Sequence, residues 1–107
     1  MNMSDVMAYL LSRLVTGLPV SELANVFDCL IWCMDDNGAD IEAVRQEWLL
    51  SDDKRKVEVA LSMSETYPYD SRQELIDGLK LIKNKWPDLE PKCNEILGRW
   101  DKQFPNN

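Results

Sequence analysis

Histidine is missing from these 107 residues. That lack removes the side chain most often used for general acid–base catalysis, and with it the usual partner that activates a serine or cysteine nucleophile. Cysteine is scarce and odd in number, at positions 29, 33 and 93. An odd count argues against a disulfide framework and fits a reducing compartment. Zinc would want four ligands from cysteine or histidine, and only three such residues exist. Cys29 and Cys33 fall on one helix face, and the three cysteines are expected to act as small hydrophobes in the core. The four glycines make no phosphate-cradling loop. Asp35, Asn37, Asp40 and Glu42 faintly resemble a calcium loop. Counted from Asp35, however, the glycine falls at position 4 instead of 6, so the match fails. The neighbours Asp35/Asp36 and Asp52/Asp53 diverge on a helix and do not form working carboxylate pairs. The expectation is a protein that is not an enzyme, with no cofactor and no functional metal.

Long apolar runs are also missing. The most apolar stretch is Val26 to Met34, interrupted only by Asp28. It is far short of the ~20 residues that span a bilayer, so it is expected to form the central, mostly buried helix of a helical domain. Met1 to Val15 has no basic n-region and no small-residue cleavage site, which predicts a cytoplasmic chain without a signal peptide. Strand-like alternation and long linkers are absent too. A chain of this length then reads as one all-α domain over 1–107, with five or six helices.

Six helical segments can be placed. Ser4 is a candidate N-cap for the first, whose stripe is Val6, Met7, Leu10, Leu11, Leu14 and Val15, with Gly17 as its stop. Pro19 suits the first turn of the second, which runs to about Asp36 and closes at Asn37-Gly38. Its inner side is Val20, Leu23, Phe27, Leu30, Ile31 and Met34. Glu22, Asn25, Asp28, Trp32 and Asp35 line the other side. The third starts near Asp40 with Ile41, Val44, Trp48 and Leu49 on one face. Ser51 caps the fourth, where Val57, Ala60, Leu61 and Met63 are apolar but Val59 interrupts a clean stripe. Ser71 and Glu74 form a capping-box pattern before the fifth, with Leu75, Ile76, Leu79, Ile82 and Trp86, and Pro87 stops it. Pro91 opens the sixth, with Cys93, Ile96, Leu97, Trp100 and Phe104.

Tyr67-Pro68, Trp86-Pro87 and Phe104-Pro105 each set an aromatic before a proline, 19 and 18 residues apart. Read as helix-end signals, they suggest a degenerate helical repeat of antiparallel helix pairs, an architecture that presents binding surfaces. The plainer reading is that each aromatic closes a core layer and each proline stops a helix.

Positive charge is short in the first half. Residues 1–53 carry ten acids and only Arg13 and Arg45 as bases, whereas residues 54–107 carry nine acids and ten bases. The overall net charge of −7 repels nucleic acid and anionic membranes and attracts basic proteins. The densest cluster is Asp35, Asp36, Asp40, Glu42, Glu47, Asp52 and Asp53 around Arg45. The basic residues Lys80, Lys83, Lys85, Lys92, Arg99 and Lys102 are expected to serve solubility and ion pairing, for instance Asp77 with Lys80.

Short, acidic, single-domain and without catalytic residues, the chain has a property profile similar to that of small bacterial immunity proteins and antitoxins. The resemblance is one of class and rests on no motif. It implies an inhibitor that occludes a basic partner, such as a nuclease toxin. The expected partner-binding residues are Asp28, Trp32, Asp35, Asp36, Asp40 and Glu42, with Trp32 as a partly exposed anchor; packing under a neighbouring helix is the alternative for Trp32. A helical-repeat-like adaptor that binds a peptide or subunit is the competing expectation.

Overall fold

The computed structural model describes residues 2–14, 17–36 and 38–105. Among them are six α-helices, one 3-10 turn and no strand. The α-helices are α1 (Met3–Ser12), α2 (Val20–Ile31), α3 (Ala39–Leu49), α4 (Lys54–Ser62), α5 (Arg72–Lys85) and α6 (Glu90–Gln103). The 3-10 turn is Pro87–Leu89. The all-helical class read from the sequence is therefore what the chain adopts. The helices gather into two compact units, Met1–Thr66 and Tyr67–Asn107.

In the first unit, α1 begins one step earlier than Ser4. Asn2 is the N-cap: its side chain accepts from the Asp5 amide at 2.8 Å, and Asp5 accepts back from the Asn2 amide at 3.5 Å. The helix stops at Ser12, before Gly17. Its last turn tightens, with Leu14 N–H donating to Leu11 O and the Ser12 hydroxyl donating to Tyr9 O. The Val15 end of the expected stripe lies outside the described residues.

Helix α2 ends at Ile31, five residues short of the expected Asp36. The reason is that Asp36 serves the next helix. Its carboxylate accepts from Gly38 N–H at 2.9 Å and from Asp40 N–H at 3.1 Å, which covers the open amides at the start of α3. Gly38 has a φ of +81° and passes so close to Ile31 that a Cβ there would lie 2.7 Å from Ile31 Cγ2. Glycine meets both demands of this reversal. Asn37, expected to help close α2, lies outside the described residues.

The expectation that α2 is buried on most of its circumference fails. Its buried face is Leu23, Ala24, Phe27, Asp28 and Ile31, while Leu30 and Met34 are half-buried. Val26, Cys29, Trp32 and Cys33 are exposed. The most enclosed helix is α4, which packs against both α2 and α3. Val57, Val59, Ala60, Leu61 and Met63 have no solvent exposure. Val59 seemed to interrupt a stripe only because a helix with neighbours on two sides needs no single stripe. The cap of α4 is Asp53, which accepts from Arg55 N–H at 3.0 Å; Ser51 in turn accepts from Asp53 N–H at 2.9 Å. Phe27 meets Trp48 edge to face, with ring centres 6.0 Å apart.

In the second unit, α5 and α6 form an antiparallel pair. Arg72 in the first turn of α5 reaches Asp101 in the last turn of α6 with two bonds of 2.7 and 3.2 Å. Ser71 caps α5 through the Glu74 amide at 3.2 Å. Trp86 ends it, followed by Pro87. Leu75, Leu79, Ile82, Cys93, Ile96 and Trp100 are buried. Tyr67 and Trp100 pack edge to face at 4.9 Å, and Phe104 meets Trp100 at the same separation with its ring tilted by 53°. Trp86 and Phe104 are C-caps, but Tyr67-Pro68 lies in a loop five residues beyond α4. The aromatic-proline regularity is thus not uniform in the structure. Asp77 accepts from Gln73 at 2.9 Å, not from Lys80 as expected.

Candidate protein-interaction surface

Charge divides by unit. Residues 1–66 hold twelve acids and five bases, whereas residues 67–107 hold seven of each. The whole net charge therefore belongs to the first unit. Any surface selected by charge is to be sought there.

The six residues expected to bind a partner separate into two groups. Asp28 and Glu42 turn inward. Asp28 is only 5 % exposed, and its carboxylate accepts from Ser64 N–H at 3.0 Å, Ser64 Oγ at 3.4 Å and Glu65 N–H at 3.4 Å. It does not line an exposed acidic stripe; it fastens α2 to the segment after α4. Glu42 is half-buried. It accepts from the Thr66 hydroxyl at 2.7 Å and stands 3.6 Å from Arg45.

Trp32, Asp35, Asp36 and Asp40 face solvent. Trp32 is 68 % exposed, which excludes packing beneath a neighbouring helix. Its position as C-cap explains this: it is the first residue past the helix, where the buried face of α2 no longer dictates direction. Asp35 and Asp36 occupy the turn that follows, and Asp40 the first turn of α3. The four lie within nine residues of sequence across the α2–α3 connection. Asp36 has the capping duty already described, so it is not a free charge in the sense that Asp35 is.

A second feature adjoins this stretch. An open groove of about 480 Å³ runs between α1 and α3, lined by Asn2, Met3, Val6, Asp40, Val44 and Glu47 among others. Asp40 and Glu47 are seven apart on α3, hence two turns apart on one face. The lining of the groove is mixed, with Met3, Val6, Ala43 and Val44 apolar and Asp40 and Glu47 acidic. It was not legible in the sequence, because the pairing of α1 with α3 places it.

In the sequence Arg45 is the one base within the acidic cluster. In the structure it is wholly buried. Its Nε donates to Ala60 O at 2.9 Å, one terminal nitrogen to Met63 O at 2.6 Å, and the other to Thr66 O and Oγ1 at 3.1 and 3.0 Å. The last carbonyls of a helix have no intrahelical donor, so a buried cation here caps α4 and opposes the negative end of its dipole. With Arg45 withdrawn, the acidic stretch presents no basic side chain of its own between Asp35 and Asp53.

The cysteine expectation divides likewise. Cys93 is buried in the second unit, and burial raises its thiol pKa. Cys29 and Cys33 are exposed and do not serve the core. Among the described residues no three His, Cys, Asp or Glu side chains are grouped to hold a metal ion. Among the same residues no helix is long and apolar enough to cross a membrane.

Comparison with protein-family models, with curated proteins and with solved structures found no match.

Proposed function

We propose that this protein is a small acidic inhibitor of the immunity or antitoxin type, which acts in the bacterial cytoplasm without chemistry of its own. It binds a basic protein, such as a nuclease toxin, and covers that protein's working face. The observation that carries this reading is Trp32, 68 % exposed and followed by the exposed carboxylates of Asp35, Asp36 and Asp40. Carboxylates steer a basic partner and raise its on-rate, up to ~10⁸–10⁹ M⁻¹s⁻¹ at low salt. Exposed ion pairs contribute only ~0–1 kcal/mol each, so a tight complex needs a desolvated anchor, and tryptophan is among the side chains most enriched in that role.

The test is capture of host proteins by the full chain at low and high salt, followed by association kinetics with whatever is retained. Asp35→Lys with Asp40→Lys should slow association and flatten its salt dependence. Asp36 is left intact, because its loss would also uncap α3. Trp32→Ala should speed dissociation. Reversal of Lys80, Lys83 and Lys85 should change neither. If the lysine set abolishes binding and the aspartate set leaves it intact, the surface is wrongly assigned.

The groove between α1 and α3 favours a second reading, an adaptor that takes a peptide. Its apolar lining residues Met3, Val6 and Ala43 would accept side chains in a way that is indifferent to salt. A retained partner that resists high salt and is lost on Ala43→Arg, at an exposed lining position, would select this reading over the first.

A further inference from the structure

We propose that Cys29 and Cys33 form a reversible dithiol–disulfide site at the C-terminal end of α2. Both thiols are exposed, unlike Cys93. Trp32, the C-cap between them, keeps right-handed helical dihedrals (φ −77°, ψ −10°), so the turn carries on to Cys33 and the two cysteines, about 400° apart round an ideal helix, fall on one outward side. In a regular helix, Cβ atoms four apart are ~5–6 Å from each other. A disulfide needs ~3.5–4.5 Å, so the gap to be closed is about 1–2 Å. Mid-helix, that movement would break ladder bonds on both sides. Here only Cys29 is inside the helix. Cys33 lies past the Trp32 C-cap, held by a three-residue turn bond from its N–H to Leu30 O at 2.9 Å, and the next such bond, Met34 to Ile31, is already long at 3.5 Å. The pair thus straddles the point where the backbone passes from a fixed ladder to loose turns, and Cys33 can move toward Cys29 without unwinding α2.

The co-reactant is a low-molecular-weight disulfide. One thiolate of the pair attacks a sulfur of the reagent, forms a mixed disulfide and releases one small thiol. The second thiolate attacks the protein-side sulfur, closes the Cys29–Cys33 bond and releases the other small thiol. The protein gives up two electrons and two protons, and the reagent disulfide is reduced to two thiols. An exposed, slightly strained bond of this kind is readily reduced again. Trp32 lies between the two cysteines in sequence, so closure tightens the turn that carries it. The consequence for partner binding rests on the function proposed above; the chemistry does not.

The experiment uses the full chain in buffers of reduced and oxidised glutathione, read by intact mass and thiol count. The expected product is monomeric, lighter than the reduced chain by two hydrogens, with two of its three thiols lost, and it reverts in reduced glutathione. Cys29→Ser and Cys33→Ser should each stop at a single glutathione adduct. Cys93 should stay unmodified until denaturant is added. Accumulation of adducts on both Cys29 and Cys33 of the unsubstituted chain, or of covalent dimers, would overturn the site. Closure that leaves partner association unchanged would remove only the link to Trp32, and failure of the inhibitor reading would leave the mass result standing.

Discussion

Replacement of Arg45 by methionine keeps most of the side-chain volume and removes the charge and every donor. The carbonyls of Ala60, Met63 and Thr66 and the Thr66 hydroxyl are among the acceptors that then lose this partner. The two Thr66 contacts are part-buried, and water can replace them. Those to Ala60 and Met63 are buried, and hydrogen bonds to a charged group contribute ~1.5–3 kcal/mol each. Because the bonds belong to one network, their losses do not simply add. We expect ~3–5 kcal/mol of destabilisation, the range for breaking a buried ionic contact by removing one partner. Arg45→Lys keeps the charge, but a single ammonium cannot face carbonyls on several sides as the guanidinium fork does, so ~1–3 kcal/mol should be lost. Glu42→Gln should cost no more than ~1 kcal/mol, since the Arg45 contact is long, the site is partly solvated, and glutamine still accepts from Thr66. Urea unfolding followed by far-ultraviolet circular dichroism measures all three. A loss under ~1 kcal/mol for Arg45→Met, or one equalled by Glu42→Gln, would show that the carbonyls do not hold the guanidinium as described.

Phe27→Ala should cost ~3–5 kcal/mol in the same assay, whereas Leu30→Ala, at a half-buried site, should fall below that, and Trp32→Ala should stay within ~0.5 kcal/mol. The Arg72 guanidinium holds Asp101 below its ordinary value of 3.8, first through the hydrogen bond and then through charge. A depressed carboxylate contributes stability above its unfolded value and loses it as pH falls through the folded one. The stability difference between the unsubstituted chain and Arg72→Gln should therefore be constant near neutrality and vanish below the carboxylate range, as checked by urea titrations at a series of pH values. A Cβ at Gly98 on α6 meets nothing within 4 Å, so Gly98→Ala should stabilise by up to ~1 kcal/mol. A Cβ at Gly78 on α5 would run into the ring of Tyr69, so Gly78→Ala should forfeit that gain in parallel thermal melts.

The helices of this chain were legible because apolar spacing and prolines mark them. Their ends were less so: Asp36 looks like the tail of α2 until it is seen to cap α3. Two charged residues show why the site was only partly legible. Ala24, Phe27, Asp28 and Ile31 follow i, i+3, i+4, i+7 spacing, and so do Ile41, Val44, Arg45 and Trp48. In each quartet the third member is ionic, and in each it is buried. The periodicity carried the signal, but side-chain charge argued for the surface. What the spacing cannot reveal is the set of backbone groups 15 to 37 residues away that make such burial tolerable. Trp32 is the reverse case, an aromatic whose exposure follows from the early end of α2.

Asp28, Glu42 and Arg45 converge on the short irregular stretch from Met63 to Thr66, the last residues of the first unit. Boundaries between compact units are ordinarily where proteases cut, because a protease must draw several residues of backbone into its cleft. Here the Ser64 and Glu65 amides and the Met63 and Thr66 carbonyls are already engaged by side chains from α2 and α3. The junction should therefore resist limited digestion. Glu65 sits in that grip with its own side chain exposed, so an enzyme that cleaves after glutamate would meet a visible recognition residue on a backbone it cannot lift.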